Sequence, residues 1–344
     1  MSSEPTQTYF SWQQDNWHNL RLLQQRNRLP HALLFSGVKG IGKLHFARAF
    51  GRYMLCSNPA SPEGEQGAEN QLSQVACEKC KACLLTQQGT HPDMVEIVPD
   101  EPGKPIKIDQ IRELTRFVAS SPQQGGYRIV IICPPEEMNI NAGNAVLKVL
   151  EEPGKNTLFM LVSHSSGRLM ATIRSRCQAI NFSQPKKAES IQWLQQKSDN
   201  DNIDLLLSIC NGSPLSALDF LNDQGLERRS AVLAGLKGAA SRRLSVTEVA
   251  QQWQKEKPDS LLEWLSSLIS DFIRYKMSES VDKVVNKDAE KLITKASFRV
   301  QEEKLFAFID KIQEYRLQVI SKTNPNQQLM YEDLLVGWVG LFDS

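Results

Sequence analysis

A short apolar run, Ala32-Leu33-Leu34-Phe35, stops at the glycine-rich segment Gly37-Val38-Lys39-Gly40-Ile41-Gly42-Lys43-Leu44. A phosphate-binding P-loop needs Gly-x-x-x-x-Gly-Lys followed by Ser or Thr, on a turn between a buried strand and a helix. Gly37, Gly42 and Lys43 fit, and Phe46, Ala47, Phe50 and Met54 follow at helical spacing. This context constrains the chain to an α/β fold, a parallel sheet with helices on both faces. The eighth position, whose hydroxyl should hold Mg²⁺, is Leu44. An isobutyl group cannot ligate a metal. Backbone N–H groups at the helix start can still attract an anion, so nucleotide binding at this loop stays open.

More strands follow. Met94 to Val98 reads as one, Arg128 to Ile132 as a second, Thr157 to Val162 as a third and Gln178 to Phe182 as the last. Between them, Asp109 is expected to cap a helix whose apolar face is Ile111, Leu114 and Val118. Ala142, Ala145, Val146, Val149 and Leu150 mark another helix, closed by Pro153, and a short helix is expected to run through Leu169. The second half of an ATP site should be a strand ending in Asp-Glu. The strand Arg128 to Ile132 ends instead in Cys133-Pro134-Pro135-Glu136. Cys133 stands where an acid should hold Mg²⁺, and Pro134 where an acid should polarise water. Glu136 and Glu137 lie beyond a rigid Pro-Pro turn, too late to serve. Two independent losses argue against hydrolysis.

The pattern changes near residue 183, where Ser183-Gln184-Pro185 breaks it and no convincing strand follows. Residues 186–222 read as two or three short helices, interrupted at Asn211-Gly212-Ser213-Pro214. Longer amphipathic stripes come next: Leu261, Leu265, Leu268 and Phe272; Leu305, Ile309, Ile312, Val319 and Ile320; Leu334, Leu335, Trp338, Val339 and Phe342. Their plain reading is core packing. The expected domains are an α/β domain over 1–183, a small helical domain over 184–225 and a larger helical domain over 226–344.

Lys and Arg number 40 against 39 Asp and Glu, a net charge of +1. No basic excess advertises nucleic-acid binding, so any such contact is a local patch. The first residues carry no basic start and no apolar core of signal-peptide length. No stretch of about 18 apolar residues suggests a membrane span. A cytoplasmic location is expected.

Cys77-x-x-Cys80-x-x-Cys83, with Cys56 upstream, is the strongest metal signal. Four thiolates can close a tetrahedron around Zn²⁺ and leave no position for substrate, which makes the expected site structural. The bacterial ferredoxin run needs a fourth Cys where Gln87 stands. Redox or free thiols remain the alternative. His91 is expected to be a loop residue, not a ligand. The Pro-, Gly- and Glu-containing stretch between Cys56 and Cys77 reads as mobile and solvated.

Arg174-Ser175-Arg176-Cys177 lies between a helix and the last strand. Taken alone, it reads as a helix end with ordinary surface arginines. Its company changes that reading. His31-Ala32-Leu33-Leu34-Phe35 before the P-loop, the four-cysteine insert over 56–83, Thr90-His91-Pro92-Asp93, Asn144 to Pro153 and Ser175-Arg176-Cys177 occur in one order. In order and spacing the set resembles bacterial clamp-loader subunits of the AAA+ class, DnaX (τ/γ) and δ′ of DNA polymerase III. The likeness is strong over roughly residues 20–215, and Asn326 to Leu329 and Glu332 to Leu335 resemble the last helices of δ′.

The resemblance implies an AAA+ P-loop sheet with a zinc module, a helical lid and an all-α collar. DnaX subunits keep a full P-loop and an Asp-Glu. Here Leu44, Cys133 and Pro134 depart from that. The lid arginine that should follow a Gly-x-x pattern is replaced by Leu215 after Gly212-Ser213-Pro214. These defects resemble δ′, whose own ATP site need not work. The intact Ser-Arg-Cys implies that Arg176 reaches a neighbour's ATP, with Ser175 and Cys177 as the rest of the motif. The implied partners are DnaX and δ in a hetero-pentamer, the sliding clamp and primed DNA. Two other readings stand beside this one: a self-sufficient AAA+ ATPase of replication or repair, and a zinc-containing nucleic-acid adaptor.

Overall fold

The structure is a computed structural model, and it describes residues 9–60, 72–101, 103–124, 126–321, 323 and 325–342. Most of the expected mobile stretch between Cys56 and Cys77, residues 61–71, lies outside the described residues. The chain divides into two compact units, Met1–Glu189 and Ser190–Ser344.

The first unit is built on five parallel strands: β1 (Ala32–Ser36), β2 (Met94–Ile97), β3 (Arg128–Ile132), β4 (Thr157–Val162) and β5 (Gln178–Asn181). Their spatial order is β2-β3-β4-β1-β5, which places the P-loop strand between β4 and β5. Alternate side chains point to opposite faces of a strand. On one face Leu33, Phe35, Ile129, Ile131, Leu158 and Met160 meet α1 (Gln14–Gln25) and α2 (Lys43–Leu55) through Trp17, Leu20, Phe46 and Phe50. On the other, Leu34, Val130, Ile132, Phe159 and Leu161 meet α4 (Ile108–Ala119) and α5 (Ile140–Glu151) through Ile111, Leu114, Val146 and Val149. Burial on both faces explains why β1, β3 and β4 are nearly continuous apolar runs.

Local details depart from the sequence reading. The N-cap of α4 is Lys107, and Asp109 sits inside the first turn, paired with Arg112 at 2.7 Å. The backbone amide of Lys107 is satisfied by Gln110 Oε1 at 2.9 Å, so the helix start needs no acidic cap. β2 stops at Ile97, one residue early, and Val98 is exposed. Phe182 lies beyond β5, although its amide still donates to the Ser36 carbonyl at 2.8 Å. The helix expected through Leu169 is a single 3-10 turn, Ser166–Arg168, followed by α6 (Ala171–Arg174). The remaining helix of this unit, α3 (Lys81–Gln87), follows Cys80.

Helix α7 (Lys187–Gln195) carries the chain across the boundary, and among the described residues no strand follows. In the second unit, α8 (Ile203–Ile209) and α9 (Pro214–Asn222) bury Ile203, Leu206, Leu207 and Ala217 in a small cluster with Leu194. A larger cluster joins α10 (Gly225–Ala240), α11 (Val246–Trp253), α12 (Pro258–Ser278), α13 (Glu290–Ala296), α14 (Glu302–Ile320) and α15 (Gln327–Gly340). The expected stripes on α12 and α15 enter it. On α14 the deep positions are Leu305, Phe308 and Ile312, whereas Ile320 is exposed because the stripe runs out at the helix end.

Candidate functional site

The P-loop closes on itself. Gly42, the N-cap of α2, has φ +86°, and a Cβ there would lie 2.4 Å from the Phe10 ring. Only glycine satisfies both demands. The segment Phe10 to Gln13 lies along the loop: Trp12 Nε1 and Gln13 Nε2 both donate to the Ile41 carbonyl, at 3.0 and 2.9 Å. Lys43 is buried, and its ammonium donates to the carbonyls of Gly37 at 2.7 Å and Val38 at 2.5 Å. Burial lowers its pKa from 10.5 to about 8, against the opposing pull of Cys133 and Glu136. The group that should meet a nucleotide's phosphates therefore has two acceptors within its own loop. Leu44 packs against the apolar core beside α2.

Across from Lys43, Cys133 is buried, and burial, with Glu96 and Glu136 nearby, pushes its thiol up to about 11. A neutral thiol is no substitute for a carboxylate that binds a hard cation. Glu136 departs from the sequence expectation, because the Pro134-Pro135 turn brings it back to the site. Its Oε1 accepts from the amides of His164 and Ser165 at 2.8 and 2.9 Å, which ties it to the loop after β4. Its charge reaches Lys43, Cys133 and His164. His164 is pushed down to about 4, first by burial and then by Lys43, so its ring is neutral at pH 7. The sequence reading set Glu136 aside as lying too late and did not single out His164. The only available signal was the place of His164 just after an apolar strand.

The four cysteines converge from three segments. Cys56 is the C-cap of α2, Cys80 is the N-cap of α3, Cys83 lies in the first turn of α3, and Cys77 lies in the loop before Cys80. Glu78 between Cys77 and Cys80 adopts φ +58°, turning the backbone tightly. The four sulfurs lie within 4.8 Å of one another, with Cys56–Cys80 and Cys77–Cys83 both at 3.9 Å. A tetrahedron with Zn–S bonds of about 2.3 Å separates its sulfurs by about 3.8 Å. The amides of Cys77 and Cys80 donate to Cys56 Sγ and Cys77 Sγ at 3.3 and 3.4 Å, which favours thiolates. The donor set fits a metal ion, and the spacing is consistent with structural zinc. His91 is outside the group. It is buried in the turn before β2, where its Nδ1 accepts from the Asp93 amide at 3.0 Å.

Arg176 follows α6 and precedes β5. Ser175 is the C-cap of α6, and its hydroxyl donates to the Thr172 carbonyl at 3.1 Å. Cys177 packs against the apolar cluster under α4 and α5, and burial raises its thiol to about 11. These flanking contacts anchor the turn while the Arg176 side chain stays 37% exposed. Leu215, in the first turn of α9, presents no charge where a lid arginine is implied.

A family model described as "DNA polymerase III, delta subunit" matches residues 12–186, and one described as "DNA polymerase III, delta subunit, C terminal" matches residues 223–340. A DNA polymerase III subunit delta′ from Pseudomonas aeruginosa is 34% identical over 336 residues, covering 96% of this chain and 98% of that protein. The chain belongs to the DNA polymerase III subunit δ′ family. The Haemophilus influenzae subunit delta′ is 31% identical over 78% of each chain. The Escherichia coli subunit delta′ is 28% identical over 95% of this chain and 94% of its own. Both units of this δ′-family chain thus fall inside the relationship.

Proposed function

We propose that the chain acts as the δ′ subunit of the DNA polymerase III clamp loader, which opens a sliding clamp and sets it on primed DNA during replication. It works in a hetero-pentamer with DnaX (τ/γ) and δ in the cytoplasm, and it catalyses nothing by itself. Residues 1–183 form the AAA+ domain with a zinc-bearing insert over 56–83. Residues 184–225 form the lid, and 226–344 the collar that builds the ring. The small apolar cluster of Leu194, Ile203, Leu206, Leu207 and Ala217, joined to the larger one at Ile209, supports dividing lid from collar.

The observation that carries the reading is a contrast between two cations. Lys43 is buried and engaged by its own loop, whereas Arg176, although paired with Glu151, keeps 37% of its side chain exposed on a turn anchored from both sides. Hydrolysis in a P-loop site needs a metal held by Ser/Thr and Asp, and Leu44 and Cys133 supply neither. Arginine is always charged, and its planar fork suits phosphate oxygens. Arg176 therefore serves as the trans-acting group for ATP on an adjacent DnaX subunit, a role worth about 10³–10⁵ in rate in other systems. Cys56, Cys77, Cys80 and Cys83 hold Zn²⁺ as a structural cross-link. Co-purification with tagged DnaX and δ, together with nucleotide titration of the isolated protein, tests the proposal. A stable three-component complex and no Mg-ATP binding by the isolated chain are expected. Failure to join the complex, or tight binding abolished by Lys43→Ala, contradicts it.

A further inference from the structure

Arg176 is held by its own chain. Its Nη2 donates to Glu151 Oε1 at 2.5 Å, and its Nη1 donates to the Thr172 carbonyl at 3.0 Å. Glu151 is the last residue of α5, so its carboxylate adds to the negative pole at that helix end. Thr172 belongs to α6. Acceptors from two helices thus fix the plane of one guanidinium. A guanidinium carries five N–H donors, and these two bonds leave others for an outside acceptor. Glu151 and Arg176 remain 51% and 37% exposed, and so open pairs add little to stability. The neighbouring glutamate, Glu152, makes no such contact with Arg176. What the pair does supply is a bias, favouring one orientation of a long side chain with many rotamers before a partner arrives.

We propose that Glu151 is a positioning residue for Arg176, orienting the guanidinium so that its remaining donors meet anionic oxygens of a nucleotide in an adjoining subunit. This rests on reading Arg176 as a trans-acting group. The test is a double-mutant cycle on the reconstituted complex with DnaX, δ, clamp and primed DNA. Steady-state ATPase is measured for wild type, Glu151→Gln, Arg176→Ala and the double variant. Glu151→Gln is expected to lower kcat by about two- to fivefold, the range of an exposed ion pair. KM for ATP and complex assembly stay unchanged, and Glu151→Asp, which keeps the charge, recovers part of the rate. In the Arg176→Ala background Glu151→Gln adds nothing. A Glu151→Gln rate equal to or above wild type overturns the proposal, as does an equal fall in both backgrounds. If Arg176→Ala is slow while Glu151→Gln is normal, only Glu151 loses its role. If Arg176→Ala matches wild type, the trans-arginine reading falls and takes this proposal with it.

Discussion

The Lys43 ammonium donates to the Gly37 carbonyl at 2.7 Å, closing a ring over residues 37–43 within the P-loop itself. In a working loop that ammonium is kept for the β- and γ-phosphates. Here its burial has a measurable cost in proton affinity. The folded pKa is about 8 against 10.5 for the free side chain. Between those values the unfolded chain binds more protons than the folded one, so this group's contribution to stability rises with pH. Lys43→Met removes the titration. The melting temperature of wild type is therefore expected to gain on that of Lys43→Met as pH rises from 8 towards 10.5. A constant difference across this window contradicts the buried-lysine account.

His164 offers a second titration with a different window. Its folded pKa is about 4, lowered from 6.5 by burial and by Lys43. Below pH 6.5 the unfolded state takes up the proton first, so stability falls between pH 6.5 and 4. The His164 ring resonances should stay in the neutral form down to about pH 5 in an NMR titration. His164→Gln should flatten part of the acid loss. A midpoint near 6.5 for His164 refutes its placement beside Lys43.

The cysteine group predicts about one Zn²⁺ per chain by elemental analysis. Structural zinc is typically worth on the order of 10–16 kcal/mol in small domains. Cys80→Ser is expected to lose the metal and to expose residues 56–93 to limited proteolysis while the rest of the chain stays folded. Iron with visible absorbance, or metal-free protein with the same protease resistance, removes the assignment.

Gly42 tests how the N-terminal segment closes the loop. Gly42→Ala combines a left-handed backbone with a clash against Phe10. A loss of about 1–3 kcal/mol is expected in denaturant unfolding. In a Phe10→Ala background the loss should be smaller, since only the backbone term remains. Equal losses in both backgrounds would mean that Phe10 does not rest on Gly42.

Much of this was legible in the sequence where the signal is local. β1, β3 and β4 are apolar on both faces, and a strand–glycine–helix junction has one common use. The Cys-x-x-Cys-x-x-Cys run declares a metal site by spacing, although joining Cys56 to it needs the C-terminal end of α2 to meet α3. What was not legible depends on contacts between distant segments. Glu136 looked stranded beyond two prolines, yet the amides of His164 and Ser165, 28 and 29 residues on, draw it back. Phe10 and Trp12 carry no motif, and only the folded chain sets them on Ile41 and Gly42. Asp109 looked like a cap because its side chain suits one, but Gln110 reaches the amide of Lys107 and the helix begins earlier.

The most direct test of the account is the ATPase rate of the complex reconstituted with DnaX, δ, clamp and primed DNA, comparing wild type, Lys43→Ala and Arg176→Ala. Lys43→Ala should leave the rate unchanged, as the proposed function gives this chain's own loop no nucleotide turnover. Arg176→Ala should assemble normally yet hydrolyse ATP more slowly and load clamps poorly. Arg174→Ala, outside the Ser-Arg-Cys triplet, should matter less. An Arg176→Ala complex that assembles and matches wild type in both ATPase and loading, or a rate that collapses with Lys43→Ala, would contradict the central claim.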